Sequence, residues 1–271
     1  MPTSTSPSLQ GNLLLDALNA RDRALIAPHL EPAEYRRGDV LFHARDEVSY
    51  VTFPLHRAIV TLVVPLRDGK SVETATVGHE GAIGGVVSHG YLPAFSQAVI
   101  QVGGPMLRIS AERLNAAKLA SPAVRDLFVR YADCLLAQLL QSVACNAVHP
   151  IEQRCLRWLL TLQDRLGVPE LPVTHEVLSE MLGVRRAYLT KILGRMQDDG
   201  LIRTGHGRLT VLDRGRVERA ACECHASVQL HFREVLGAVY GRDGEMLAVD
   251  VTEPEALKPP SPAVTLRETA R

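Results

Sequence analysis

Apolar residues recur with two different periods along this chain, and the changes of period divide it into segments. Between Leu13 and Leu30, Leu14, Leu18, Leu25 and Ile26 follow helical spacing, and the pattern breaks before Pro28. From Arg36 to Ile109 the signal turns to short β-rich runs: Val40-Leu41-Phe42, Val48 to Phe53, Ala58 to Val64, Val72 to Val77, Ala98 to Val102 and Met106 to Ile109. Arg37-Gly38-Asp39, Asp68-Gly69, Gly78 and Gly103-Gly104-Pro105 separate them as turns. Many short strands at this spacing predict a sandwich or barrel. Helical spacing returns at Ser121-Pro122 and runs to about Ala147, with Val124, Leu127, Phe128, Tyr131, Leu135, Leu139, Leu140 and Val143 as its apolar positions. At about 1.5 Å per residue such a helix is roughly 39 Å long. His149-Pro150 interrupts it and marks a hinge. Ile151 to Leu166 reads as a further helix that buries Cys155, Leu156, Leu159 and Leu160, with Trp158 in the core.

The stretch from Leu171 to Leu212 is the most specific. Thr174 is a natural N-cap, its hydroxyl able to accept a bond from a first-turn amide. Val177, Leu178, Met181 and Leu182 then follow at helical spacing, and Gly183 can take the left-handed conformation that ends the helix. Small Ser179 suits a close helix crossing. A second helix from about Val184 to Asp199 buries Leu189, Ile192, Leu193 and Met196. Its outward face carries Ala187, Thr190, Lys191 and Gly194, flanked by Arg186, Tyr188 and Arg195. Leu201 to Arg203 and Arg208 to Leu212 then alternate like strands around Thr204-Gly205-His206-Gly207, a hairpin signal. Two helices with a basic outward face and a glycine-tipped wing form a winged helix-turn-helix suited to the major groove of DNA. Beyond the wing, Arg216 to about Leu236 reads as one more helix, and the proline-bearing segment from Glu245 as a disordered tail.

A length of 271 residues with 46% apolar content fits two globular domains. Net charge is zero, but its distribution is uneven: residues 150–216 hold 11 Lys and Arg against 8 Asp and Glu. The positive excess falls where phosphates would be met. No run approaches the roughly 20 apolar residues of a membrane span. The opening MPTSTSPSLQG lacks a basic stretch before an apolar one, so no secretory signal is expected and the cytoplasm is the expected compartment.

The helix-turn-helix stretch resembles the DNA-binding domain of the Crp–Fnr family of bacterial transcription regulators. Thr174, Leu178-Ser179, Leu182-Gly183-Val184, Arg186, Lys191-Ile192-Leu193 and Asp199-Gly200-Leu201-Ile202 carry the resemblance, which is specific over residues 150–225. It implies an α+β chain: a disordered N-terminus over 1–11, an antiparallel jelly roll like the cyclic-nucleotide-binding domain over 12–120, a dimerisation helix over 121–148, a winged helix-turn-helix over 149–237 and a disordered tail over 245–271. Leu127, Phe128, Tyr131, Leu135 and Leu139 are then the expected dimer contacts. The expected partners are double-stranded DNA, a second copy of the chain, RNA polymerase and an unidentified small effector, with no membrane. Arg186, Tyr188, Thr190 and Lys191 are placed to face the groove, and Thr174, Arg185, His206 and Arg208 to meet phosphates or the groove edge. In the family pattern the recognition helix carries Arg-Glu near its start and Arg further along; Arg186, Ala187 and Lys191 stand at those positions.

The phrase Gly81-Ala82-Ile83-Gly84 resembles the family's effector-site turn. The family's cyclic-nucleotide binders follow its glycine with a Glu for the ribose and an Arg for the phosphate. Here Gly85 stands at the Glu position, and Gly84 to Gln101 contains no Lys or Arg, so the phosphate anchor is missing. Fnr-type members hold an iron–sulfur cluster on N-terminal cysteines, whereas this chain has no cysteine before Cys134. Cys222, Cys224 and His225 invite a metal reading, yet on one helix residues two apart point about 200° away from each other. The spacing is not that of a zinc site, and no metal or cofactor is expected. His56, His79, Glu80 and His89 in a jelly roll raise a cupin-like metal enzyme, but the close His-x-His pair is missing. The expectation is a regulator and not an enzyme. The competing class is a ligand-sensing or oligomerising module without DNA binding.

Overall fold

The computed structural model describes residues 10–67, 71–86 and 92–250. The disorder expected for residues 1–11 lies outside the described residues except at Gln10 and Gly11, which form a turn; residues 251–271 and the Asp68-Gly69 turn also lie outside them. The first helical pattern is divided by its asparagines. Asn12 caps α1 (Leu13–Asp16), and the Asn19 side chain accepts from the Asp22 amide at 2.9 Å to open α2 (Ala20–Ile26). Pro28 sits in the 3-10 turn Ala27–His29 that follows.

Eight strands come next: β1 (Glu31–Tyr35), β2 (Val40–Phe42), β3 (Tyr50–Pro54), β4 (Ile59–Pro65), β5 (Ser71–Val77), β6 (Ile83–Gly84), β7 (Gln97–Val102) and β8 (Gly104–Ser110). They pair antiparallel in two four-stranded sheets, ordered β1-β8-β3-β6 and β2-β7-β4-β5. Val60, Val77, Ala98 and Ile100 of one sheet pack with Ile83 and Met106 of the other. Val51 and Phe53 of β3 and Leu107 and Ile109 of β8 point away from that core and are covered by helices.

Ser110 caps α3 (Ala111–Ala120), and Ser121 caps α4 (Pro122–Val148) with Pro122 in its first turn. The apolar stripe of α4 is wider than one partner needs. Leu127, Phe128 and Tyr131, expected at a dimer seam, lie instead in their own protomer's core. Phe128 meets Phe53 edge to face at 6.1 Å, and the Tyr131 hydroxyl donates to the Ala82 carbonyl at 3.0 Å. Leu135 packs on the sandwich core and Leu139 is half-buried. The outward apolar side chains of α4 are Val129, Leu136, Leu140, Val143 and, at its end, Val148.

The chain continues as α5 (Ile151–Leu166), β9 (Glu170–Leu171), α6 (His175–Leu182), α7 (Arg186–Asp198), β10 (Ile202–Gly205), β11 (Arg208–Val211), α8 (Arg214–Ala220), α9 (Cys224–Leu236), β12 (Ala238–Tyr240) and β13 (Met246–Val249). The helix expected from Arg216 to Leu236 is thus two helices. Asp213 caps the first, and backbone at Ala221 turns extended (φ −74°, ψ 169°). Cys222 lies within this break and Cys224 opens α9, so the angular argument against their convergence, which holds for one continuous helix, does not apply.

After the break the chain returns to its N-terminal half. Phe232, Leu236, Ala238, Met246 and Val249 join the core built by α1, α4 and β3. Met246 to Val249, expected in a disordered tail, are held in a hairpin with β12, and the His79 Nε2 pairs with the Met246 carbonyl at 3.0 Å. The pattern of apolar residues from Leu247 to Val249 is too short to announce a strand by itself.

Polar groups fix α5 against the sheets. The Arg165 guanidinium donates through Nε to Glu80 at 2.7 Å and through Nη2 to Gln138 at 3.2 Å. Trp158, buried as expected, donates its indole N–H to the Glu73 carboxylate, which burial pushes above the usual carboxylate range.

Candidate nucleic-acid interface

The reading head is assembled by its turns. The Thr174 hydroxyl accepts from the Val177 amide at 3.2 Å and starts α6. Gly183 ends it at φ +69°, a left-handed conformation that costs a residue with a Cβ more than glycine. The Val184 amide there bonds back to the Ser179 carbonyl at 2.9 Å, and two residues later α7 begins. Leu178, Leu182, Leu189, Ile192, Leu193 and Met196 share one buried cluster with Leu156, Leu159 and Leu160 of α5. Burying those leucines and isoleucines at roughly 1.5–3 kcal/mol each holds α7 at a fixed angle to α6.

That packing leaves the opposite face of α7 open. Arg185, Arg186, Ala187, Tyr188, Thr190, Lys191 and Gly194 are exposed. The Thr190 hydroxyl donates to the Arg186 carbonyl at 3.0 Å and lies 3.4 Å from His175 Nδ1. Burial, then the nearby Arg186 charge, lowers the His175 imidazole below its ordinary range. Arg195 is drawn aside by Glu152 at 2.8 Å.

The wing is β10 and β11, paired Ile202↔Val211 to Gly205↔Arg208, with β9 added along β11. The Gln197 side-chain oxygen Oε1 accepts from both the Thr204 amide at 2.9 Å and its hydroxyl at 2.8 Å, fastening the wing to the end of α7. His206 is exposed at its tip, and Arg203 is exposed on β10. Arg208 is paired with Glu170 at 2.9 Å across the surface.

Of the eight residues expected to meet DNA, Arg186, Tyr188, Thr190 and Lys191 thus share the exposed face of α7, and Arg185 is exposed at its N-cap. His206 and Arg208 sit on the wing beside it. Thr174 is half-buried, its hydroxyl engaged as the α6 cap. Two further residues lie beside this face that the sequence reading did not single out, His175 and Arg203. The first follows Thr174 directly, so the cap places it at the α6 terminus that meets α7. The second is the outward residue of an alternating strand. Both signals are present in the sequence.

In the N-terminal half, Gly84 takes φ +109°, and a Cβ there would run into the Tyr50 carbonyl. The turn borders a cavity of about 410 Å³ between the sandwich and α4. Its described lining includes Leu62, Ile83, Phe95, Leu135 and Leu139 and carries no charged side chain.

Residues 153–220 match the family model described as the Crp-like helix-turn-helix domain. The chain is 22% identical over 194 residues to the global nitrogen regulator of Synechococcus elongatus, covering 68% of this chain and 86% of that one. Among solved structures it resembles FixK2 from Bradyrhizobium japonicum, with a TM-score of 0.63 at 15% identity over 71% of this chain and 98% of that one. It also resembles the c-di-GMP responsive global regulator CLP of Xanthomonas campestris, with a TM-score of 0.59 at 17% identity over 72% and 100%. The fold is the α+β arrangement of those regulators: antiparallel sheets, a long helix and a C-terminal helix-turn-helix.

Proposed function

From the premise that the chain is a transcription regulator of the Crp–Fnr type with a helix-turn-helix DNA-binding domain, we propose that it binds a palindromic operator as a homodimer. The carrying observation is the outward face of α7, where Arg186 and Lys191 stand exposed with no ion pair among the described residues. Cations left unpaired beside a firmly packed helix suit phosphates and base edges better than internal partners. Arg186 reads a guanine through its fork of donors, while Thr190 and Tyr188 flank it. Arg185, Thr174, His206 and Arg208 position the phosphate backbone, Arg208 exchanging Glu170 for phosphate.

The dimer forms along the outward face of α4. Val129, Leu136 and Val143 recur every seven residues, with Leu140 between them, a spacing suited to a coiled-coil seam. Two copies then present two α7 helices to half-sites one helical turn apart, roughly 34 Å. The bound dimer acts in the cytoplasm through contact with RNA polymerase. Among the described residues no helix is long and apolar enough to cross a membrane.

The signal is not a cyclic nucleotide. A cyclic phosphate needs a cation, and the cavity beside Gly84 offers apolar side chains instead. Selecting genomic fragments that the purified protein retains, and sequencing them, tests the whole reading. An inverted repeat with half-sites about one turn apart is the expected result. Retention of random sequence alone would overturn it.

A further inference from the structure

The segment matched to the helix-turn-helix domain is joined to the rest of the molecule by two crossings of the chain. It is entered between α4 and α5, at His149-Pro150, and left between α8 and α9, at Ala221 to Glu223. The two crossings lie against each other. Cys145, one turn before the end of α4, brings its Sγ to 3.6 Å from Cys222 Sγ. Cys224 Sγ lies 3.4 Å from His149 Nδ1. The four donor atoms all fall within 4.8 Å of one another.

We propose that Cys145, His149, Cys222 and Cys224 bind a single zinc ion that clamps the neck of the reading head. A tetrahedral zinc with Zn–S near 2.3 Å and Zn–N near 2.0 Å sets its sulfurs roughly 3.8 Å apart, and sulfur from nitrogen roughly 3.5 Å apart. The two contacts above fall within about 0.2 Å of these lengths. Three cysteines and a histidine are one of the donor sets of structural zinc. A polynuclear iron–sulfur cluster is a poorer fit, because its ligands sit on different irons and must spread wider than these do.

The surroundings also suit thiolates bound to a metal. His149 turns Nδ1 to the cysteines and holds Nε2 at 3.3 Å from the Glu223 carboxylate, the arrangement that orients a metal-bound imidazole. Gln141 Nε2 donates to Cys224 Sγ at 3.0 Å. The Arg154 guanidinium lies within electrostatic range of Cys145 and Cys222, leaves its buried Nε without a hydrogen-bond partner among the described residues, and donates through Nη2 to the Leu182 carbonyl at 3.2 Å. Neutral thiols accept such bonds weakly; thiolates accept them well. Binding releases the three thiol protons to solvent and leaves Zn(Cys)₃His with one net negative charge, which Arg154 offsets. Because Arg154 also holds the last residue of α6, loss of the ion would be felt at the helix-turn-helix itself.

The test uses the full chain, freed of any histidine tag and purified without chelator under reducing conditions. Metal analysis should find about one zinc per chain. Replacement by Co²⁺ should give intense visible d–d bands and a sulfur-to-cobalt charge-transfer band. Cys222→Ser and Cys224→Ser should lose the ion, while Cys134→Ser and Cys155→Ser keep it. If the first two variants do not fold, Glu223→Gln decides, because it leaves all four ligands in place and should weaken zinc in competition with a chromogenic chelator by about 10-fold or more. A metal-free protein that takes up no Co²⁺ would overturn the proposal. So would full zinc retention by folded Cys222→Ser and Cys224→Ser, unchanged affinity in Glu223→Gln, or a Cys145–Cys222 disulfide in place of the ion.

Discussion

Replacing Arg165 with methionine should cost this protein far more than replacing its partner Glu80 with glutamine. Both side chains are buried, at 8% and 2% exposure, and meet at 2.7 Å. Arg165→Met leaves the Glu80 carboxylate without its cation and takes a donor from Gln138, while among the described residues the Gly78 amide still reaches Glu80, at 3.0 Å. An uncompensated buried charge of this kind costs about 3–5 kcal/mol. Glu80→Gln keeps an acceptor for the Gly78 amide and leaves Arg165 beside Asp164, so a cost of about 1–3 kcal/mol follows. In the double variant no charge is stranded, and its cost should fall short of the sum of the two single costs by about 1 kcal/mol or more. Urea unfolding followed by circular dichroism gives all three values, since a constant slope shows the same surface being exposed. Because Arg165 is on α5 and Glu80 follows β5, the same cycle reports how firmly the DNA-binding domain is docked. An Arg165→Met cost below about 1 kcal/mol would refute the reasoning, because the pair would then be open to water and worth no more than a surface ion pair.

Three further outcomes are expected. Leu140→Glu, at a position 62% exposed, should leave the fold intact and shift sedimentation from dimer to monomer, whereas Phe128→Ala should instead destabilise by about 3–5 kcal/mol. An unchanged dimer in Leu140→Glu would move the seam elsewhere. Calorimetric titration with cyclic AMP or cyclic GMP should show no micromolar binding, since among the described residues no cationic side chain lines the cavity beside Gly84. Thr174→Ala should lower stability by about 0.5–2 kcal/mol through the lost α6 cap, measurable in the same urea series.

The sequence made the long elements readable for a simple reason: a periodic apolar stripe names a helix or strand whatever it packs on. It named α4, α5, α6, α7 and most strands, and the outward set Arg186, Thr190 and Lys191 follows from 100° steps along α7. What a stripe does not name is its partner. Leu127, Phe128 and Tyr131 belong to the same face whether a second copy or the sandwich covers it, and the sandwich does. Short elements were equally hidden. Residues Glu31–Tyr35 show no alternation and become β1 only because β8 offers them an edge. The break at Ala221 has neither proline nor glycine to announce it. It arises where α9 turns back along α4, and it brings together cysteines that a continuous helix would separate.

The central claim is that α7 reads DNA with Arg186. Binding-site selection from a random pool, carried out with the parent chain and with Arg186→Ala, tests it most directly. The parent should enrich an inverted repeat with a guanine at one position of each half-site. Arg186→Ala should lose preference at that position alone, with affinity for the parent site reduced by about 1–3 kcal/mol. Arg185→Ala, run beside it, should weaken all sequences alike and flatten the salt dependence by about one unit. An Arg186→Ala chain that selects the same motif at undiminished affinity would contradict the claim, because the exposed face of α7 would then not be what touches the bases.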